Sequence, residues 1–146
     1  MLIYLAGKID GLSWNKANGW REKAATELCS RGISVYNPLM HVAHLKGISR
    51  ITPEVVQDTK DQIPVDDEFY LKHSDIMLCN LENDNVTGTL MEIGYMRALG
   101  KLILGFGNSK LCKHPFIEKW VDLKFNNLDD ALEYIIDLLS QLGGVY

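Results

Sequence analysis

Short apolar runs at residues 2–6, 33–36, 75–79, 101–106 and 121–125 alternate along this chain with segments whose apolar residues return every three or four positions. That alternation constrains the fold more than any other feature. A strand that feeds a helix before the next strand lies parallel to its neighbour, because parallel pairs need a crossover connection. The expected class is therefore α/β, a three-layer sandwich in which a five-stranded parallel sheet carries helices on both faces. The first helix is predicted over 13–31, where Trp14, Ala17, Trp20, Ala24, Ala25 and Leu28 share one stripe and Gly32 stands as a C-terminal cap. Further helices are predicted over 66–73, around Glu92 with Gly100 as its stop, over 115–120, and over 128–142. Residues 39–60 have no firm period, and so long an irregular stretch is usually functional or mobile. Within it, Thr52-Pro53-Glu54 has the form of a helix start, while Pro64 should break or restart any helix that reaches it.

At 146 residues, 47% hydrophobic and 23% charged, the chain matches one globular domain over 1–146. A net charge of −4 and a pI of about 5.5 give no overall case for holding a nucleic acid polymer, so small polar ligands are the better expectation. No apolar run approaches the ~20 residues that span a bilayer, and the N-terminal run is short, so a soluble, unprocessed, cytoplasmic protein without membrane partners is expected. Cys29, Cys79 and Cys112 are odd in number and widely separated, which argues against a disulfide framework. His41 and His44 stand three apart with no third ligand evident, so neither a metal nor a cofactor is expected.

Ligands of open parallel sheets bind beyond the carboxyl ends of the strands. That mouth should collect residues 7–11, Asn37-Pro38, residues 80–88 and residues 105–108. The turn Gly7-Lys8-Ile9-Asp10-Gly11 is neither a dinucleotide nor a P-loop motif, yet its glycines let backbone amides approach a ligand closely. Glu92 should lie at the mouth within the first turns of its helix. Thr89-Leu90-Met91-Glu92 also fits a capping box, so local grammar alone leaves Glu92 either a cap or a reactive carboxylate. Position leaves Asp67 facing the mouth or water, and makes Asp75 a structural turn residue. Tyr4, in a buried strand, reads as a core aromatic whose hydroxyl needs a partner.

Tyr4-Leu5-Ala6-Gly7, Asp67 with Ser74-Asp75-Ile76-Met77-Leu78, Gly88-Thr89 with Glu92-Ile93-Gly94-Tyr95, and the final Gly143-Gly144-Val145-Tyr146 occur in one order along nearly the whole chain. Together they resemble the nucleoside 2-deoxyribosyltransferases. The resemblance implies a flavodoxin-like fold, a homo-oligomer with shared active sites, and transfer of 2-deoxyribose between nucleobases. It implies Glu92 as nucleophile at C1′, Tyr4 as the hydrogen-bond donor that orients it, and Asp67 as the carboxylate handling the nucleobase and its proton. Substrate contacts are implied for Gly7, Ile9 and Asp10, for Asn85, Gly88 and Thr89, and for the C-terminal carboxylate of Tyr146. On chemical grounds a helix start should favour the charged, nucleophilic form of Glu92. The partners expected are a deoxynucleoside or deoxynucleotide and a free nucleobase. Hydrolytic relatives acting on 2′-deoxynucleoside 5′-monophosphates share the fold and the Gly/Glu block, and stand as the alternative. A non-catalytic nucleotide-binding module ranks below both. Two positions depart from the transferases: Val86 stands where they carry an acid, and Pro115-Phe116-Ile117-Glu118 lacks the Asn that a neighbouring subunit contributes.

Overall fold

The computed structural model describes residues 1–52, 54, 62–84 and 86–143, with the backbone alone at His41 and over 62–65. Strands Leu2–Ala6 (β1), Ser34–Tyr36 (β2), Ile76–Asn80 (β3), Leu102–Phe106 (β4) and Leu123–Phe125 (β5) form one sheet in the order β2-β1-β3-β4-β5. Every adjacent pair is parallel. The helices are Trp14–Cys29 (α1), Gln62–His73 (α2), Thr87–Ala98 (α3), Pro115–Trp120 (α4) and Leu128–Gln141 (α5). Among the described residues no helix is long and apolar enough to cross a membrane. The order 2-1-3-4-5 is the flavodoxin-like winding, and it reverses direction between β1 and β3.

Strand parity divides the core. Ile3, Leu5, Ile76, Leu78, Leu104 and Phe106 pack with Ala24 and Leu28 of α1 and with Ile135 and Leu139 of α5. Tyr4, Ala6, Met77, Cys79 and Ile103 point the other way, against Leu71 of α2, Ile93 and Met96 of α3, and Ile117 of α4. Because successive strand side chains alternate in direction, Tyr4 is committed to the α3 side once Ile3 and Leu5 are on the α1 side. Asp75 does the structural work expected of it. Its Oδ2 accepts from the Leu2 amide at 2.9 Å, at the end of the sheet opposite the mouth.

Two elements differ from the periodic reading. Residues 38–45 form a 3-10 segment, Pro38–Leu45, started by Asn37, whose side chain accepts from the Leu39 amide. Leu39 and Val42 of that segment join Trp14, Ala17 and Ile51 in a small third core, which has no helical repeat for a pattern search to find. Helix α2 begins at Gln62, so Pro64 sits in its first turn, where a missing N–H breaks no intrahelical bond. The helix start expected at Thr52-Pro53-Glu54 falls largely outside the described residues.

Candidate active site

A cavity of about 450 Å³ opens at the carboxyl ends of β1 and β3, at the reversal of strand order. Gly7, Ile9, Asp10, Gly88, Thr89 and Glu92, six of the residues singled out in the sequence, line it together. Asn85 and Tyr146 lie outside the described residues. Lys8, Gly11, Arg50, Val86 and Thr87 complete the wall.

Two loops bring these groups together. The Gly11 amide donates to the Ile51 carbonyl and the Ile51 amide to the Leu12 carbonyl, both at 2.7 Å, so the segment carrying Arg50 is clamped onto the turn after β1. Gly7 is required by close approach. A Cβ there would lie 3.0 Å from Trp20 Cζ2 and 3.1 Å from Asn80 Cβ. On the opposite wall, α3 starts at Thr87 with Val86 as its N-cap, and Val86 makes no side-chain capping bond. The first amides of α3 therefore face the cavity without a side-chain cap.

This helix start corrects the capping-box expectation. Thr89 lies inside the helix rather than ahead of it, so Glu92 is too far along to reach back to an N-cap amide. Its Oε1 instead accepts from the Tyr4 hydroxyl at 2.8 Å. The expectation that the helix start keeps Glu92 charged is also corrected. Burial dominates and raises its pKa to about 7; the Tyr4 hydrogen bond opposes this, Asp67 adds to it, and Arg21 opposes it. For Tyr4, burial first and the neighbouring Glu92 charge second push the phenol far above its ordinary value, so it remains a permanent donor.

Asp67 is not in the cavity wall. It accepts from the Tyr36 hydroxyl at 2.8 Å, and Tyr36 pairs with Tyr4 in the sheet with ring centroids 5.3 Å apart. Tyr36 also stacks on Tyr70 at 3.8 Å. Burial, followed by the hydrogen bond to Asp67, raises the Tyr36 phenol well above its usual range. Glu92–Tyr4 and Asp67–Tyr36 are thus two carboxylate–phenol pairs side by side, and Asp67 acts electrostatically on both Tyr4 and Glu92. Neither Tyr36 nor Arg21 was singled out in the sequence, although Arg21 falls on the stripe Trp14, Ala17, Ala24, Leu28 and so could have been read as buried. Tyr36 left no signal beyond being one aromatic in a short strand.

The arrangement suits chemistry that needs one ionised and one proton-bearing carboxyl close together. No curated protein matches the chain in sequence. Among solved structures, the chain is similar to the 2-deoxyribosyltransferase of Bacillus psychrosaccharolyticus at TM-score 0.67 and 21% identity, covering 92% of each chain. The CMP N-glycosidase BcmB of Clostridium botulinum matches at TM-score 0.55 and 16% identity, over 92% of this chain and 98% of that one. A 2-desoxiribosyltransferase from Leishmania mexicana matches at TM-score 0.54 and 16% identity, over 93% and 97%. At these identities the likeness is one of fold. The family model described as nucleoside 2-deoxyribosyltransferase matches residues 3–124. With that match spanning both walls of the cavity, from Tyr4 through Glu92, the chain belongs to the nucleoside 2-deoxyribosyltransferase family.

Proposed function

We propose that this protein cleaves the N-glycosidic bond of a 2′-deoxynucleoside and transfers the deoxyribosyl group to a second nucleobase. The observation that carries the reading is the 2.8 Å hydrogen bond from Tyr4 to Glu92 at the edge of a cavity on the strand-order reversal. An ionised Glu92 oxygen attacks C1′ as the C1′–N bond breaks, and the bonding electrons leave with the base, which takes up a proton. Asp67, beside Tyr36, is the group assigned to that proton transfer. A nitrogen of the incoming base then attacks C1′ while its proton passes to Asp67 and restores that acid; the attack releases Glu92 as carboxylate and returns the original configuration by double inversion. Tyr4 holds one carboxylate oxygen, leaving the other for attack. Gly7, Ile9, Asp10, Gly88 and Thr89 are assigned to the sugar and its 5′ end. Asn85, the Tyr146 carboxylate and a homo-oligomer with shared sites are proposed on family likeness alone.

A second reading is hydrolysis of a 2′-deoxynucleoside 5′-monophosphate, with water replacing the second base. Lys8, Arg50 and the uncapped start of α3 on one cavity favour it, since each suits an anion. Chromatography of two reactions separates the readings. One contains a deoxynucleoside with a different free base, the other a deoxynucleoside 5′-monophosphate alone. A new deoxynucleoside in the first is the expected result. Free base and deoxyribose 5-phosphate only in the second would replace transfer by hydrolysis, and no product in either would overturn both.

A further inference from the structure

Beneath the Gly7 turn lies a cation that rests on carbonyls rather than on a carboxylate. Arg21 is wholly buried in α1. Its Nη1 donates to the Ala17 carbonyl, its Nη2 to the Gly7 carbonyl at 2.8 Å, and the guanidinium carbon sits 4.6 Å from the Trp20 ring centroid. Among the described residues, Nε has no hydrogen-bond partner and no ion pair includes Arg21. Burying a guanidinium against neutral carbonyls recovers only part of its lost hydration, so Arg21 is a poor choice for stability alone. An apolar residue on that stripe would pack with less cost.

Its placement suggests what the cost serves. The Gly7 carbonyl it holds belongs to the turn that lines the same cavity as Glu92. The turn also rests directly on the Arg21 and Trp20 side chains, since a Cβ on Gly7 would come within 3.4 Å of Nη2. We propose that Arg21 is a positioning residue of this site: it pins the Gly7 turn through its carbonyl and supplies the buried positive charge that keeps the Glu92 carboxylate available as an anion.

The groups facing Glu92 fit this assignment. Tyr4 from β1 donates to it, Asp67 from α2 disfavours a second negative charge nearby, and Arg21 from α1 favours it, while the Cys79 thiol from β3 is held neutral by burial and adds no charge. At the mouth, Lys8, Asp10 and Arg50 stand in or near solvent, where their fields are screened. Among the described residues Arg21 is the one cation fully removed from water. The coupling runs both ways. Burial lowers the Arg21 pKa to about 10, and Glu92 is the leading influence that opposes the fall. Even so lowered, the guanidinium stays charged near neutral pH.

The catalytic consequence rests on the reading of Glu92 as nucleophile, but the test reads ionisation directly. In protein labelled with ¹³C at the glutamate carboxyl, the Glu92 resonance is the one missing from Glu92→Gln. Its titration midpoint should rise in Arg21→Met, where the buried positive charge is lost, and by less in Arg21→Lys, which keeps the charge. A midpoint unmoved in a folded Arg21→Met would overturn the assignment. Should Arg21→Met fail to fold, the wild type decides: the Arg21 Nε ¹⁵N shift should follow pH with the Glu92 midpoint and lose that inflection in Glu92→Gln. An Nε shift that ignores Glu92 would equally overturn it. Intact coupling in a protein that forms no glycosyl product would instead reject the proposed function and leave this inference standing.

Discussion

Tyr4 and Glu92 are 88 positions apart and share one hydrogen bond, so each can be changed while the other reports. In Tyr4→Phe the carboxylate loses the donor that lowers its pKa, and the acid limb of kcat/KM should move above about 7. Turnover should fall about 10- to 100-fold, the kinetic equivalent of the ~1.5–3 kcal/mol in a hydrogen bond to a charged group. A pH profile in wild type and variant measures both effects. Glu92→Gln should abolish turnover yet stabilise the fold. A carboxyl whose folded pKa is raised binds protons more tightly when folded, so its stability contribution is whole below the unfolded value near 4.5 and is lost as pH rises towards 7. Glutamine carries no such penalty and can still accept from Tyr4. Thermal melts should therefore show Glu92→Gln more stable than wild type at pH 8 by on the order of 1–3 kcal/mol, with the difference vanishing near pH 4. Equal melts at pH 8 would mean that Glu92 is not held in a desolvated place.

At the scale of elements, the site depends on where α3 begins and on what the first loop rests against. The valine N-cap is a weak choice for helix stability, costing about 1 kcal/mol against Ser or Asp, and it leaves first-turn amides open to a ligand. If that end of the cavity takes a 5′-phosphate, Arg50→Ala should raise KM for a 5′-monophosphate at least tenfold while leaving KM for the unphosphorylated nucleoside nearly unchanged. Equal effects on both substrates would remove Arg50 from that role. Gly7 tests the floor. Its Cβ would press on Asn80 Cβ at 3.1 Å, which stands next to backbone and cannot swing aside, and on the Trp20 ring. Gly7→Ala should lower urea stability by about 1–3 kcal/mol, the usual cost of overpacking, and should impair turnover in the protein that remains folded. A neutral Gly7→Ala would show that the turn has slack and that Arg21 does not fix it.

Across the whole molecule, the sheet separates stability from chemistry by face. Leu78 is fully buried on the α1/α5 side of β3, so Leu78→Ala should cost about 2–5 kcal/mol in denaturant while the folded fraction keeps the wild-type pH profile. A shifted acid limb there would show that the two faces are not independent. The same division explains what could be read beforehand. Short apolar runs separated by helical stripes determined the parallel sheet, the helices and the loops that meet at its carboxyl edge, because periodicity is a local property of the chain. Six of the ten residues picked from motifs do line one cavity, while Tyr4 and Asp67 are outside its wall, each bonded to a carboxylate or phenol on the same face of the sheet. Local grammar left Glu92 undecided, since a capping box and a buried carboxylate share the same four-residue spelling and differ only in where the helix starts. The 3-10 segment at 38–45 and Arg50 were not legible either, because they are held by Ile51, Leu12 and the small core around Trp14 rather than by a repeat of their own. The sequence by itself thus determined the architecture and the inventory of reactive groups. Only the tertiary structure decided the partner of Glu92, the raised pKa that its burial causes, and the buried guanidinium beneath the turn. Hydrogen bonding, desolvation and electrostatic coupling depend on distance through space, and distance along the chain carries almost no information about it.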